Sequence, residues 1–304
     1  MPSPHPHSYA GPLIVLAGAT GFSFKAIFVK AAYAHGVDAT TLLALRLLFS
    51  LPAFLLMGLW ARSAGEPLSR RDWISIVALG FSGYYLSSML DFLGLLFIPA
   101  GLERLILFLT PTLVVLMSAA LFRTPIRRHH VISLLLSYGG MALVFVSTLR
   151  LSQAPHDILL GGGLVFASAT TFAIYLLGSG RVIPRVGTTR FTAYASTVAC
   201  GFGIAQFLIV NPVGALVQPA EVYWLVLAMA AVSTVAPIWL MAEGMRRIGS
   251  NQTAMISAIG PVMTIFFGWL LLGEAVTLVQ VLGSALVLAG VLLVSLKVET
   301  AAKP

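Results

Sequence analysis

The chain has 304 residues, of which 59% are hydrophobic and only 9% charged, and its mean hydropathy is +0.97. Because soluble domains carry about 25% charged residues, this composition excludes a soluble globular protein and predicts a helical membrane protein. The net charge of +8 comes from basic residues scattered between apolar segments, without a nucleic-acid-binding patch, and the single cysteine, Cys200, excludes an internal disulfide.

Apolar segments fill nearly the whole chain, and a membrane-spanning helix needs roughly 20 such residues. Short connections with turn or polar residues separate them. The predicted fold is an all-α polytopic membrane protein with ten transmembrane helices. In chain order these spans are predicted at about 12–34, 39–61, 73–97, 100–122, 130–149, 158–178, 188–210, 220–245, 251–272 and 276–296.

Basic residues are unevenly divided between alternate connections. One side receives 13 of the 18 Lys and Arg residues: Arg62, Arg70, Arg71, Arg123, Arg127, Arg128, Arg181, Arg185, Arg190, Arg246, Arg247, Lys297 and Lys303. Since cytoplasmic connections are enriched in such residues, both termini are predicted to lie in the cytoplasm, with the chain in a bacterial inner membrane.

The two halves of the chain resemble each other at a constant offset of 150 residues. ATGF at 19–22 matches ATTF at 169–172, and the offset also pairs Gly94 with Gly244, Pro111 with Pro261, and Gly140 with Gly290. Each half, 1–150 and 151–304, holds five spans, so the second must enter the membrane from the opposite side. This pattern predicts two inverted five-helix repeats, an arrangement common in secondary transporters; the alternative is chance similarity between Gly-rich apolar helices.

Several segments resemble one known family. Five plus five spans, Arg46 within LLALRLLFSLP, prolines in the fourth and ninth spans, and PVMTIFFGWLLLGEAVTLVQVLGSALVLAGVLL at 261–293 are similar to EamA-type members of the drug/metabolite transporter superfamily. The most specific match is Glu274 in the LGE motif, and Thr124 replaces the acid at the equivalent position of the first half. The resemblance implies a ten-helix carrier for small metabolites, often an exporter, and in some members an exporter of amino acids.

The third span carries a polar stripe. Tyr84, Ser87, Ser88 and Asp91 follow one another at helical spacing and share one face of the helix. Lipid does not tolerate such a stripe, so it is predicted to face other helices or a water-filled cavity. For the serines, hydrogen bonding within the bundle is the simpler alternative.

Lys25 lies near the middle of the first span, and its counterpart at offset 150 is Tyr175. A charge at that depth costs roughly 2.5–3.5 kcal/mol, so it needs a partner carboxylate, an aqueous cavity or loss of its proton. A substrate-binding role and a structural ion pair both remain open at this point.

Further charges flank the turn between the third and fourth spans. Asp91, Glu103 and Arg104 are predicted near the outer ends of adjacent helices. Arg104 is expected to pair with one acid and leave the other available, either as an outer-gate salt bridge or as a charged recognition site.

The remaining candidates have both functional and structural interpretations. Ser257 is predicted on a cavity face and Trp239 as a stacking surface, whereas Glu243 is expected to pair with Arg246 or Arg247. Arg46 could bind a substrate carboxylate or link neighbouring helices. Glu274 could help to seal one end of the second half of the chain. Pro111 and Pro261 remove backbone hydrogen bonds, so they could form hinges or simply fit the packing.

These features favour a secondary transporter that exports neutral or aromatic amino acids by alternating access. Lys25 would face the carboxylate, Asp91 or Glu103 the ammonium group, and Tyr84, Tyr175 or Trp239 the side chain. The alternatives are export of other metabolites or organic cations, and a channel-like facilitator. The sequence lacks HExxH, GxSxG and nucleotide-binding motifs, so neither an enzyme nor a cofactor is expected. The expected partners are a small-molecule substrate and membrane lipid, with no metal, nucleic acid or obligate protein partner.

Overall fold

The computed structural model describes residues 10–62, 67–123, 126 and 128–300, and within these ranges every regular element is helical. The α-helices are α1 (Ala10–Tyr33), α2 (Ala39–Arg62), α3 (Arg70–Leu79), α4 (Ser87–Leu95), α5 (Ala100–Leu107), α6 (Thr110–Phe122), α7 (Arg128–Leu151), α8 (Pro155–Val186), α9 (Thr188–Val210), α10 (Ala220–Ala230), α11 (Ala236–Ser257), α12 (Gly260–Leu272) and α13 (Leu278–Thr300). π-Helical segments join α3 to α4 (Gly80–Leu86) and α10 to α11 (Ala231–Val235), and a short 3₁₀ helix covers Val213–Leu216.

The helices match the predicted spans. Seven helical stretches of the described chain are long and apolar enough to cross a membrane, and shorter apolar helices at 220–235, 260–272 and 278–293 occupy the last three predicted spans. Large apolar side chains such as Leu56, Trp60 and Ile209 are more than 60% exposed, which suits a surface covered by lipid. The prediction of an all-α integral membrane protein is confirmed.

The eighth and ninth predicted spans meet inside one continuous run of helical residues, α11. Met241 Sδ and Ser257 Oγ lie only 3.7 Å apart, whereas 16 residues of straight helix would separate them by about 24 Å. The chain therefore reverses direction within this run, in the region where the connection RRIGS was predicted.

The two ends of the bundle carry different contacts. We call the end with the connections 34–38, 96–99 and 273–277 the Pro99 end, and the opposite end, where α3 begins, the Asp72 end. At the Asp72 end, Ser69 and Asp72 form a reciprocal capping box that starts α3, and Arg185 Nη2 lies 3.2 Å from Asp72 Oδ1. This contact ties α3 to the end of α8.

Irregularities of the backbone recur near the offset of 150 residues. The π-helical segments lie at 80–86 and 231–235, and two residues separate both α5 and α11 from the helix that follows. The next helices, α6 and α12, contain Pro111 and Pro261 in their first turn. The residues that follow their last turns, Arg123 and Gly273, both have positive φ, 52° and 68°.

Close helix crossings recur at the same offset. Four of the closely packed glycines are related in pairs by the offset, and at each an added Cβ would lie within 2.8 Å of a side-chain carbon on the facing segment, so glycine allows this close approach. The contacts are Gly11 with Ile248, Gly161 with Ile98, Gly94 with Val165, and Gly244 with Val15. The crossing of α4 with α8 thus uses the same residue positions as the crossing of α11 with α1.

Candidate functional site

A cavity of about 560 Å³ lies between the middle parts of the helices. Its polar lining residues are Lys25, Arg46, Ser50, Tyr84, Ser87, Ser88, Asp91, Arg104, Thr110, Ser168, Ser196, Ser233 and Thr234. The remaining lining residues are Phe22, Leu47, Phe54, Gly83, Leu107, Phe108, Pro111, Phe172, Leu176 and Ala199. The cavity therefore combines a largely apolar wall with a small number of charges, as small-molecule sites generally do.

Lys25 is the centre of the charged cluster. Its Nζ lies 2.5 Å from Asp91 Oδ2 and 2.9 Å from Glu103 Oε1. Both acids are almost completely buried, with exposures of 2% and 0%. The cluster joins α1 to α4 and α5, and this pairing compensates much of the cost of holding three ionised groups at membrane depth.

The expected pairing of Arg104 with Asp91 or Glu103 is absent, and this interpretation of the sequence is corrected. Both acids contact Lys25 instead, because the long lysine side chain reaches from α1 to Asp91 on α4 and Glu103 on α5. The Arg104 guanidinium extends towards α12, where a Cβ on Gly260 would lie 3.0 Å from Arg104 Nη2. Lys25 forms the ion pair that was one of its two predicted roles, and its contact with a substrate carboxylate stays a prediction.

Arg46 links two helices across the cavity. Its Nη2 donates a hydrogen bond to Thr234 Oγ1 at 3.3 Å, and its guanidinium carbon lies 5.5 Å from the centre of the Phe92 ring. A cation over an aromatic face is stabilised by the ring quadrupole. The structure therefore gives Arg46 a structural link, although the partner is a hydroxyl rather than a carbonyl or carboxylate.

The predicted polar stripe of the third span lies along the cavity. Tyr84, Ser87, Ser88 and Asp91 all line it. Ser87 also has a packing role, since Ser168 on α8 donates a hydrogen bond to the Ser87 carbonyl at 2.7 Å. Tyr84 stands on the π-helical segment Gly80–Leu86, and such segments often occur at functional sites.

Two predicted cavity residues do not line the cavity. Tyr175 is buried and donates a hydrogen bond from its hydroxyl to that of Tyr84 at 2.9 Å, so it supports a lining residue from behind. Ser257 donates to the Thr253 carbonyl at 2.6 Å and contacts Met241. Helical spacing predicts which side of its helix each residue occupies. It does not show whether that side borders the cavity or packs against another helix.

Two predictions fall outside the part of the chain that the structure describes: the side chain of Trp239, and residue Thr124. The side chain of Arg246 is also outside it. Glu243 accepts a hydrogen bond from Arg247 Nε at 2.6 Å, one helical turn away.

Glu274 caps a helix of the other half of the chain. Its carboxylate accepts hydrogen bonds from the backbone N–H groups of Ala100 at 2.8 Å and Gly101 at 3.3 Å, the first two residues of α5. Lys30 Nζ lies 3.9 Å away. An acid at a helix N-terminus satisfies free N–H groups and the positive end of the dipole, so Glu274 holds the Pro99 end of the bundle together.

The two prolines proposed as hinges follow breaks in their helices. Residues 108–109 and 258–259 are turns, and Pro111 and Pro261 stand in the first turn of the next helix. Pro111 also lines the cavity, close in sequence to Leu107, Phe108 and Thr110.

Sequence reasoning missed several lining residues, although the offset of 150 leads from Arg46 and Tyr84 to two of them. It pairs Arg46 with Ser196, Tyr84 with Thr234, Gly83 with Ser233, and Phe22 with Phe172, and both members of every pair line the cavity. Phe54 carried no such signal. Among the described residues, no group of three or more His, Cys, Asp or Glu side chains could hold a metal ion.

Comparison with known proteins shows that the chain is similar to one family of transporters. The model of the EamA-like transporter family matches residues 9–146 and again residues 159–296. The uncharacterized transporter YcbK of Bacillus subtilis (strain 168) is 32% identical over 288 residues, which cover 90% of this chain and 89% of YcbK. The threonine/homoserine exporter RhtA of Escherichia coli (strain K12) is 28% identical over 219 residues, 70% of this chain and 66% of RhtA.

A solved crystal structure supports the same fold. It aligns with a TM-score of 0.65 over 94% of this chain and 98% of its own, at 22% sequence identity. The matches to the family model, one in each half of the chain, together cover most of its length. The chain belongs to the EamA-like transporter family.

Proposed function

We propose that this EamA-family transporter is a secondary carrier that exports neutral or aromatic amino acids by alternating access. The observation that carries the proposal is the cavity of about 560 Å³, which brings Lys25, Arg46, Arg104 and Asp91 together with aromatic side chains. Its volume falls in the range of about 300–1,000 Å³ typical of small-molecule sites. A zwitterion with an apolar side chain is the substrate class that uses both signs of charge and the apolar wall.

RhtA supports a neutral amino acid as the substrate. It is named a threonine/homoserine exporter and is similar to 70% of this chain. The cavity wall, with Phe54, Phe172 and Leu176, also accommodates larger apolar side chains. We therefore extend the proposed substrates from small neutral amino acids to aromatic ones.

Alternating access follows from a proposed inverted repeat of residues 1–150 and 151–304. Three observations support the repeat. The family model matches twice, with starts 150 residues apart. Four glycine contacts form two pairs related by that offset, and four pairs of cavity residues are related in the same way. In inverted-repeat carriers the substrate binds between the halves, which then rock around it.

The proposed orientation places the Asp72 end in the cytoplasm of an inner membrane. The basic connections support this assignment through the positive-inside rule. The Pro99 end would then face outward, where Glu274 caps α5 and Lys30 lies near Glu274. Release of substrate to the outside requires these contacts to separate.

Flux measurements on purified protein in proteoliposomes test the proposed function. We expect saturable efflux of labelled threonine, phenylalanine or another neutral amino acid, and none of nucleosides or organic cations. Transport of organic cations without any amino acid would contradict the substrate assignment and favour the alternative of an organic-cation exporter.

A further inference from the structure

We propose that Arg104 is the residue that binds the carboxylate of the substrate, and that the transporter therefore selects solutes with a free carboxylate. This inference rests on the proposed function in one respect, namely that the substrate occupies the central cavity. It assigns the anion site to a residue other than Lys25, the cation that the sequence favoured.

The first argument is that Arg104 has unused hydrogen-bonding capacity. A guanidinium carries five N–H donors, yet within the described ranges Arg104 makes no hydrogen bond and no salt bridge, and its Nε is buried without a partner. The side chain nevertheless lines the cavity. Asp91 and Glu103 are close enough to act electrostatically on the guanidinium, but their direct contacts are with Lys25. A buried cation with unused donors is costly, so Arg104 is suited to bind an anion that enters the cavity.

The second argument is that the other two cations are already engaged. Lys25 contacts both Asp91 and Glu103, so a further anion beside it would meet two carboxylates. Arg46 donates to Thr234 and lies over the Phe92 ring. Arg104 alone among the three lacks such contacts in the described part of the chain.

The third argument is charge balance. Lys25, Arg46 and Arg104 carry three positive charges, and Asp91 and Glu103 two negative ones, so the group has a net charge of +1 when all are ionised. A bound monocarboxylate such as 3-phenylpropanoate neutralises that excess, whereas a zwitterionic amino acid leaves the net charge unchanged and places its carboxylate beside Arg104. The offset of 150 places Ala254 opposite Arg104, so the second half offers no equivalent cation and a single anion site is expected.

The chemistry of the group specifies the ligand further. A guanidinium binds a carboxylate through two parallel hydrogen bonds, which an ammonium cannot do. Asp91 also lines the cavity, and its Oδ1 has no hydrogen-bond partner, so it is suited to accept from a substrate ammonium group. An α-amino acid satisfies both residues, whereas its amide satisfies only Asp91.

The test is a binding comparison with ligands that differ only at these two groups. Calorimetry on the purified full-length protein would use L-phenylalanine, L-phenylalaninamide and 3-phenylpropanoate, with L-threonine and L-threoninamide as a second pair. We expect each amide to bind at least about tenfold more weakly than its acid, because the hydrogen bonds to a charged group are lost. We also expect 3-phenylpropanoate to bind measurably.

Variants locate the effect at one side chain. Arg104→Gln should weaken acid binding to the level of the amide and leave amide binding unchanged, whereas the matched control Arg150→Gln, an exposed arginine at the end of α7, should behave as wild type. Arg104→Lys keeps the charge but not the paired hydrogen bonds. It should lose several-fold in acid affinity only, and it serves as the test if Arg104→Gln does not fold.

The outcomes separate this inference from the proposed function. If carboxylates bind through Arg104 but no amino acid is transported, the anion site stands and the amino-acid assignment falls. If amides bind wild type as tightly as acids, if no carboxylate binds, or if the Arg104 variants keep the wild-type ratio of acid to amide affinity, the anion site is wrong.

Discussion

Lys25 and Glu103 form an ion pair with Nζ and Oε1 2.9 Å apart, although the glutamate is fully buried and the lysine belongs to a different helix. Asp91 completes the group from α4. Because each ionised group requires the others at this depth, the cluster is a structural link between α1, α4 and α5, and two of its members, Lys25 and Asp91, also line the cavity.

Removal of the lysine charge should strongly destabilise the protein. Lys25→Met leaves Asp91 and Glu103 buried beside each other without a cation, and breaking such a pair costs about 3–5 kcal/mol. Thermal unfolding in detergent would measure the loss. The double variant Lys25→Met/Glu103→Gln should recover part of it, whereas additive effects of the two substitutions would contradict the pairing.

An ion pair at the helix surface provides the matched control for the Lys25→Met unfolding experiment. Arg247→Gln removes one partner of Glu243, one turn away on α11, and the Arg247 side chain is 43% exposed. Such helical pairs contribute about 0.3–0.5 kcal/mol, so this variant should unfold close to wild type. A loss as large as that of Lys25→Met would indicate that the assay does not report the buried cluster.

Glu274→Gln should weaken the Pro99 end. The substitution keeps the size of the side chain but removes the charge that accepts from Ala100 and Gly101 at the start of α5, a contribution of about 1 kcal/mol. Thermal unfolding should shift to lower temperature, whereas Glu221→Gln, an exposed acid at the start of α10, should change little. Equal unfolding of the two variants would argue against Glu274 as a link between the halves.

Gly273 should resist substitution for a backbone reason alone. It has a φ of 68°, and an added Cβ would meet nothing within 4 Å. Gly273→Ala is therefore expected to destabilise the protein by about 1–2 kcal/mol through the left-handed conformation. Gly139 also has open space around it but stands inside helix α7, so Gly139→Ala should stabilise by about 0.5–1 kcal/mol. Shifts of the same sign would refute this explanation.

Phe172→Ala should change the size preference of the carrier. Phe172 lines the cavity and its ring stacks on Tyr175 at 5.4 Å, so its removal takes apolar surface from a bound aromatic side chain. Since one pocket contact of this kind is worth about 1–3 kcal/mol, the transport KM for phenylalanine should rise at least about tenfold and that for threonine much less. Equal changes for both substrates would remove Phe172 from the apolar subsite.

The sequence was sufficient to predict the helical fold and the need of the buried lysine for a partner. Apolar segment length predicted the all-helical bundle, and the position of Lys25 required a partner, which the structure supplies as Asp91 and Glu103. It was not sufficient for the choice of partner. Arg104 is next to Glu103 in the chain, but adjacent helical residues point in different directions, so a lysine from another helix takes both acids.

Other details depend on tertiary contacts that no local pattern encodes. Tyr175 lies behind Tyr84 rather than in the cavity because α8 packs against the π-helical segment at Gly83, where an added Cβ would overlap the Tyr175 ring. The reversal within α11 left no break in the helical assignment. Glu274 was recognised from its motif, but its target, the start of α5, is distant in sequence.

Counterflow in proteoliposomes tests the central claim most directly, because it separates a carrier from a channel. Vesicles loaded with unlabelled phenylalanine or threonine would be diluted into a trace of the same labelled amino acid. An alternating-access carrier predicts transient accumulation of label above its external concentration, and the accumulation should saturate with substrate. Label that only equilibrates, without overshoot, in vesicles shown to transport that amino acid would contradict the account and indicate a channel-like facilitator.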